Sequence, residues 1–534
     1  MSVHETNLHS ATSIVARNPA NGQELGRLTA TAPEEIADVV GAVAKVQPLW
    51  ALLRLEDRAR YVRRLAQAVI DEFSELVELL AREQGRPYAE IATLELLPAI
   101  DALIWIADAG PGVLGQRPVG IHRSMFLTKR ARVSYQPLGV IGVIGAGSAP
   151  FAQPIGQIAG ALLAGNGAVF KPARRAGLAG ERIAGVLARA GLPEGLVTLA
   201  HGGAPLGVAL ARAPVAKVLF TGSPAVGREI ARACVSENRE VVVESGGKDA
   251  MLIAGDAHIA RAVSGAVWAG FAGAGQARGS VERIYVAHEV CERFTDLLVS
   301  KTRALVVGDP LDRRTQVGPL ASARRLEHIS ELVAEAVAQG ARLHCGGPIA
   351  PPAGCTGSFY APAILSGVTH EMRLMREPID GPVLAVMDVP SLERAIALAN
   401  DCDFALGASV WSSDRYQAIR IAGELNAGMV WCNDHLPAPM ISRGPWGAAP
   451  SGGLGRTLGE AGLRGCAQEK LITWDPSGSR GLWWGPYGEA LRSAAQTVAE
   501  LRSARDLHRE RAWRHGTGAL ARVGVRALRH RGGG

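Results

Sequence analysis

Two short stretches place glycine, lysine and hydroxyl groups where a phosphorylated ligand could be held. The first is Phe220-Thr221-Gly222-Ser223-Pro224-Ala225-Val226-Gly227. Gly222 and Gly227 carry no side chain, so the backbone there could approach a pyrophosphate, and free amides at a helix start could cradle it. The same GxxxxG spacing also suits a plain, tight strand-to-helix turn. The second stretch is Lys171-Pro172, just past an apolar run. A lysine there could bond ribose hydroxyls, although a solvated surface lysine has the same local signature.

The elements around these stretches are those of a parallel α/β sheet. Val140-Ile141-Gly142-Val143-Ile144 is a short β-branched run suited to a buried parallel strand. A helix is predicted over 155–163, a strand over 168–170, and a helix over 180–189. Strand, helix, strand and strand follow over 197–200, 206–212, 217–220 and 241–244. Such alternation implies crossover connections, and sheets of this kind bind nucleotides at the carboxyl ends of their strands. A second α/β set runs from about 257 to 433, with strands near 283–286 and 383–387. Upstream, Val62, Leu65, Val69, Phe73, Leu76 and Leu80 recur at three- and four-residue steps, the stripe of one amphipathic helix stopped by Gly85. Residues 126–135 read as an extended ribbon. A Gly/Pro-rich segment at 436–455 leads to a late strand at 470–474. No internal repeat is present.

A chain of 534 residues exceeds a single hydrophobic core and implies two or three domains. With 48% hydrophobic and 20% charged residues and 64 glycines, it reads as a glycine-rich globular α/β enzyme, not a fibrous or disordered chain. No apolar run is long enough to span a membrane. The polar start up to Arg17 lacks the pattern of a secretory signal, so a cytoplasmic location is expected. Seven dispersed cysteines include no CxxC pair and no His cluster at zinc spacing, so no metal is expected and the thiols read as reduced. The formal charge of +7 sits wholly in the stretch from Arg480 onward, where eleven arginines face four acids. That tail carries no nucleic-acid recognition motif.

Taken in order, the motifs resemble the aldehyde dehydrogenase superfamily from about Asn18 to Asp475. The markers begin with Pro137-Leu138-Gly139 leading into the 140–144 run, Gly165-Asn166, Lys171-Pro172 and Gly191-Leu192-Pro193-Glu194-Gly195. They continue through Phe220-Thr221-Gly222-Ser223, Glu244-Ser245-Gly246-Gly247-Lys248, Gly275-Gln276 and Glu377-Pro378-Ile379-Asp380-Gly381-Pro382. Val430-Trp431-Cys432-Asn433-Asp434-His435 and Ser451-Gly452-Gly453-Leu454-Gly455-Arg456 complete the set. Ser280-Val281-Glu282-Arg283-Ile284-Tyr285-Val286 is most similar to the semialdehyde-oxidising branch. The resemblance implies N-terminal helices over 1–125, a Rossmann-type nucleotide-binding domain over 139–253 and a catalytic-type α/β domain over 254–435. It further implies an oligomerisation ribbon formed by 126–138 with 436–475, ahead of a basic extension over 476–534.

It also implies a chemistry. A cysteine thiolate adds to the aldehyde, an asparagine and backbone amides hold the oxyanion, hydride passes to NAD or NADP, and a glutamate activates the hydrolytic water. Glu244 matches that glutamate. Arg278 stands at the nucleophile position and Ser148 at the oxyanion asparagine. An arginine is protonated at physiological pH and has no lone pair to attack with. Cys432 is the one candidate substitute thiol, and it reads better as a buried small hydrophobe. On the cofactor side Lys171, Gly222 and Ser223 match nucleotide-holding residues, with Gly227 in the same turn. Arg174 replaces a ribose-binding glutamate, which would favour the 2′-phosphate of NADP or spoil NAD binding. Asp380 replaces a phenylalanine packed near the nicotinamide ribose. Glu377 is a match, displaced by one residue, to the glutamate that holds that ribose, whose own position is Pro378. A buried Arg278 needs an anion, so pairing with Asp380, Glu244 or both is expected.

Three functions follow as alternatives. One is an aldehyde dehydrogenase homologue impaired in catalysis; another is an oxidoreductase acting on a hydrate or hemiacetal of a small aldehyde, without a thioester and with Glu244 as base. The third is a scaffold acting through its basic tail. In the tail, Leu491, Ala494, Val498, Leu501 and Leu507 suggest a helix packed on the body, followed by a solvated basic end that could meet anionic lipid or a protein. Relatives imply a homodimer or homotetramer.

Overall fold

The computed structural model describes residues 13–122, 126, 128–435, 441–450, 452–477, 481–485 and 487–529. The expectations for the polar start up to residue 12, for Leu127, for 436–440, Ser451 and Arg480, and for the last residues lie outside them.

Two compact units emerge, one comprising the chain up to Leu114 and Pro137–Gln468, the other Gly115–Gln136 with Glu469–Gly534. The first opens with the hairpin β1 (Ser13–Arg17) and β2 (Glu24–Thr29), followed by helices. The stripe at Val62, Leu65, Val69, Leu76 and Leu80 is buried as its spacing requires. It belongs to two helices, however, Leu55–Asp71 and Phe73–Gln84. Glu72 leaves the helical region at φ −96°, ψ 11°, and its buried carboxylate takes Arg189 Nε at 2.8 Å. An apolar stripe that continues across a one-residue break hides the break. Gly85 then caps the second helix in the left-handed region at φ 68°.

β3 (Arg117–Val119) and β4 (Arg130–Pro137) belong to the ribbon described below. The nucleotide-type sheet follows, with β5 (Val140–Ile144), β6 (Gly167–Lys171), β7 (Val197–Leu199), β8 (Lys217–Gly222) and β9 (Glu240–Ser245). β5 and β6 are buried at every residue, as a parallel sheet covered on both faces demands.

The second sheet contains β10 (Asp249–Ile253), β11 (Val281–Ala287), β12 (Arg342–Ile349), β13 (Phe359–Ser366), β14 (Val383–Val389), β15 (Gly407–Trp411) and β16 (Met429–Cys432), in the order β12-β13-β14-β11-β10-β15-β16. It therefore begins at Asp249, ahead of the boundary expected after 253. A parallel neighbour needs a crossover of a dozen or so residues. Gly246-Gly247-Lys248 is too short to return β10 beside β9, so the strand enters the other sheet.

β17 (Gly453–Leu454) pairs antiparallel with β9 and completes the order β17-β9-β8-β5-β6-β7. The later part of the expected 436–475 ribbon segment is thus divided, and only β18 (Ala467–Trp474) joins β4 and β3.

The second unit holds that three-stranded ribbon, where Tyr135 Oη donates to Glu469 at 3.0 Å, together with the C-terminal helices. Helix Glu489–Leu501 buries Leu491 and Ala494 against Ala519 and Val523 of helix Thr517–Arg529. The expected solvated end is therefore helical and supplies the first helix with an apolar partner. Leu507, assigned to the buried stripe from its spacing, is 79% exposed.

Candidate active site

The carboxyl ends of β5, β6, β8 and β9 open on a cleft of about 570 Å³, bordered by Lys171, Arg174, Arg175, Phe220, Gly222, Ser223, Arg278 and Asp380 among others. This is where a parallel sheet presents free backbone groups to a ligand. Helix Pro224–Ser236 starts at its rim with Ser223 as an N-cap that makes no side-chain capping bond, so its first amides face the cleft uncapped. Gly222 and Ser223 border the space as expected. Gly227 does not. A Cβ there would meet Val243 Cγ1 at 2.7 Å, so that glycine serves the packing of the helix on β9.

Lys171, the last residue of β6, is buried, and its ammonium has one acceptor among the described residues, the Pro172 carbonyl at 3.2 Å. Burial pushes it down to about 8. A buried cation with one carbonyl partner can accept further oxygen ligands, and it faces the cleft. Arg174 and Arg175, on the loop after β6, are exposed and border the same space. Neither makes an ion pair with a carboxylate among the described residues. Burial, reinforced by the Arg325 and Arg174 cations, lowers Arg175 from its ordinary value.

At the far end, Arg278 is carried by a strained loop between helix Ile259–Phe271 and β11. Gly273, Ala274, Gly275 and Gly279 all have positive φ. Gly275 cannot be replaced without moving the chain, since a Cβ would lie 2.1 Å from the Gly381 carbonyl oxygen. Asp380, in the abutting loop, is also left-handed at φ 47°. Glu282 on β11 fixes that loop by accepting the amides of Ile379 and Asp380 at 3.0 Å each, and its own charge is balanced by Lys248 Nζ at 2.8 Å.

Both terminal nitrogens of the Arg278 guanidinium are held by the protein, while its buried Nε has no partner. Nη1 donates to Glu244 Oε2 at 3.1 Å and to Gln153 Oε1 at 3.2 Å, and Nη2 donates to the Ser245 carbonyl at 3.0 Å. Glu244, 1% exposed at the end of β9, also accepts from Gln153 Nε2 and Thr457 Oγ1. Burial raises its carboxyl, while Arg278, Thr457 and Gln153 oppose that rise. Burial likewise lowers Arg278, and Glu244 opposes the shift. Of the two expected anions, Glu244 is therefore the partner. Asp380 instead pairs with Arg325, which reaches it first from helix Ala323–Ala338.

A smaller space of about 90 Å³ lies on the other side, bordered by Arg86, Glu95, Ser148, Gln153, Trp446 and Thr457 with apolar neighbours. Arg278 and Ser148 border both spaces, while Glu244 borders neither. No cysteine borders either among the described residues. Cys432 is exposed at the end of β16, against the expectation of a buried hydrophobe. Glu377 is also away from the cleft, because Arg373 takes both of its carboxylate oxygens, from Nε at 2.7 Å and from Nη2 at 3.0 Å, leaving Pro378 at the lining. Sequence reading missed Gln153, Thr457 and Arg325, none of which carries a local signal.

It also missed a buried pair behind the Arg278 loop. Asp249 Oδ2 has no hydrogen-bond partner and lies 3.8 Å from His435 Nε2, which itself contacts the Gly279 carbonyl at 2.9 Å. Burial pushes Asp249 up to about 7 and His435 down to about 4.

A sequence profile of the aldehyde dehydrogenase family matches residues 6–472. The chain belongs to that family. A betaine aldehyde dehydrogenase of Cereibacter sphaeroides is 34% identical over 455 residues, covering 85% of this chain and 92% of that protein. Betaine aldehyde dehydrogenase 1 of Rhizobium meliloti is 33% identical, over 87% of this chain and 94% of that protein. Among solved structures, a Mycobacterium tuberculosis aldehyde dehydrogenase complexed with NAD+ superposes with a TM-score of 0.82 at 30% identity, covering 87% of this chain and 95% of that one. An NADP-dependent enzyme of Escherichia coli matches with the same TM-score, identity and coverage. Aldehyde dehydrogenases use NAD(P), which accepts hydride when bound. The underused buried ammonium of Lys171 and the uncapped helix start at Ser223 fit the ribose and phosphates of that group.

Proposed function

We propose that this aldehyde dehydrogenase homologue binds NADP in its cleft and does not oxidise aldehydes through an enzyme thioester. One observation carries the reading: the guanidinium at the nucleophile position is ion-paired, at 3.1 Å, with the carboxylate that would activate water. Arg278 has no lone pair for attack, and three side-chain donors already occupy most of the acceptor positions of the Glu244 carboxylate, leaving little room to orient a water. Ser148 makes no hydrogen bond among the described residues and supplies one hydroxyl where the family's oxyanion donor stands; losing such a donor costs about 10²–10³ in rate.

Arg174 and Arg175 support a preference for NADP, since two exposed guanidiniums without carboxylate partners at the cleft suit a terminal phosphate. Betaine aldehyde, the substrate named for the relatives above, is a quaternary ammonium cation. Such cations favour aromatic walls, whereas the smaller space offers Trp446 beside the guanidiniums of Arg86 and Arg278. A neutral or anionic small aldehyde fits these walls better.

Calorimetric titration with NADP and NAD, followed by an aldehyde panel read as NADPH formation, tests the reading. The parent is expected to bind NADP roughly tenfold more tightly than NAD, a gap of about 1.4 kcal/mol, and to show no turnover. The Arg278→Cys/Ser148→Asn variant is expected to gain turnover. Comparable turnover in parent and variant would overturn the proposal, and would instead favour direct hydride transfer from an aldehyde hydrate.

A further inference from the structure

The family match ends at residue 472, and the helices beyond it form part of a unit with its own apolar cluster, so their design is separate from the cleft. The pairing is tight. Gly516 lies so close to Thr497 that a Cβ would fall 2.1 Å from its Cγ2, and Ala512, Gly516, Ala519 and Val523 form the inward stripe. With that face consumed, the outward face is free for another purpose.

Leu507, Arg511, Arg514, Gly518, Arg522 and Val525 recur at three- and four-residue steps on the opposite face, and all are exposed. Trp513 flanks them at 68% exposure. From residue 480 onward there are eleven arginines and no lysine. The four acids of the stretch are each engaged by an arginine: Glu489 by Arg492, Glu500 by Arg511, Asp506 by Arg509 and Glu510 by Arg514. Arg502, Arg505 and Arg522 are exposed and have no carboxylate partner among the described residues.

We propose that this C-terminal helical hairpin docks the protein on an anionic phospholipid surface. Arginine forks match phosphate oxygens bidentately. A phosphate-binding face for nucleic acid has no use for exposed Leu507 and Val525, whereas a bilayer interface buries them beside Trp513, a residue type that favours the headgroup level. The complementary partner is therefore negatively charged and apolar just beneath its surface.

Co-sedimentation of the full chain with phosphatidylcholine vesicles, and with phosphatidylcholine–phosphatidylglycerol vesicles, tests this. Partitioning onto the anionic vesicles is expected to be roughly tenfold greater, and to collapse at about 0.5 M salt. Arg505→Gln/Arg522→Gln is expected to remove most of that difference. Trp513→Ala should weaken binding severalfold, with both variants melting like the parent. Equal binding to the two vesicle types, or binding unaffected by these substitutions, would overturn the proposal. So would displacement from the vesicles by a single-stranded oligonucleotide at equal phosphate concentration, which would reassign the surface to nucleic acid.

Discussion

Lys171 and Arg278 are both buried cations on the same cleft, yet they are held in opposite ways. Lys171 has one carbonyl acceptor and is pushed down to about 8 by burial. Arg278 has a carboxylate, an amide oxygen and a backbone carbonyl, all from the protein. A cation short of acceptors is a binding site; a cation supplied with them is part of the structure. At the Lys171 end of the cleft a cation thus remains open to further oxygen ligands, while at the other end Arg278 and Glu244 form an internal ion pair.

The largest effect should come from splitting that pair. Arg278→Ala is expected to lose about 3–5 kcal/mol of unfolding free energy by leaving Glu244 buried without its cation. The double variant Arg278→Met/Glu244→Met should recover most of the loss, because two apolar side chains need no counter-charge. Denaturant titration of both singles and the double gives the coupling; additive losses would show that the pair does not act as a unit. Next in size, Lys171→Gln should weaken NADP binding by about 10–100-fold, as expected for a hydrogen bond from a charged donor. In the parent, affinity should fall as pH rises through about 8 and the ammonium deprotonates; calorimetry across pH should find no such fall in the variant.

The smallest effect concerns Asp249 and His435. A carboxyl raised to about 7 contributes stability that is present below about 4 and lost as pH climbs to 7. A histidine lowered to about 4 contributes stability present above about 6.5 and lost as pH falls to 4. The two slopes oppose, so the pair's own contribution to the melting temperature should nearly cancel between these limits. Asp249→Asn should uncover a melting temperature rising with pH, and His435→Gln one falling with pH, each by about 2 °C or more. Identical profiles in all three proteins would remove this pair from the account of the chemical end.

The strand runs were legible because a doubly covered parallel sheet leaves a continuous apolar signature, and all of the nucleotide-sheet strands read from 140–144 onward lie within a few residues of their expected places. The break at Glu72 was not legible, since the apolar stripe runs on across it and the partner of its buried carboxylate, Arg189, lies more than a hundred positions away. Nor could spacing separate Gly222, at the cleft, from Gly227, against Val243. The displaced match at Glu377 failed for a local reason: Arg373, one turn earlier, captures its carboxylate.

The sequence by itself determined the family, the order of the elements and the presence of a guanidinium at position 278, because these depend on residue identity and periodicity along the chain. The partner of that guanidinium was a matter for tertiary structure alone. Asp380 and Glu244 are equally good anions on paper. Arg325 occupies the first, and the meeting of β9 with the loop before β11 delivers the second, so the Arg278 cation comes to rest on Glu244.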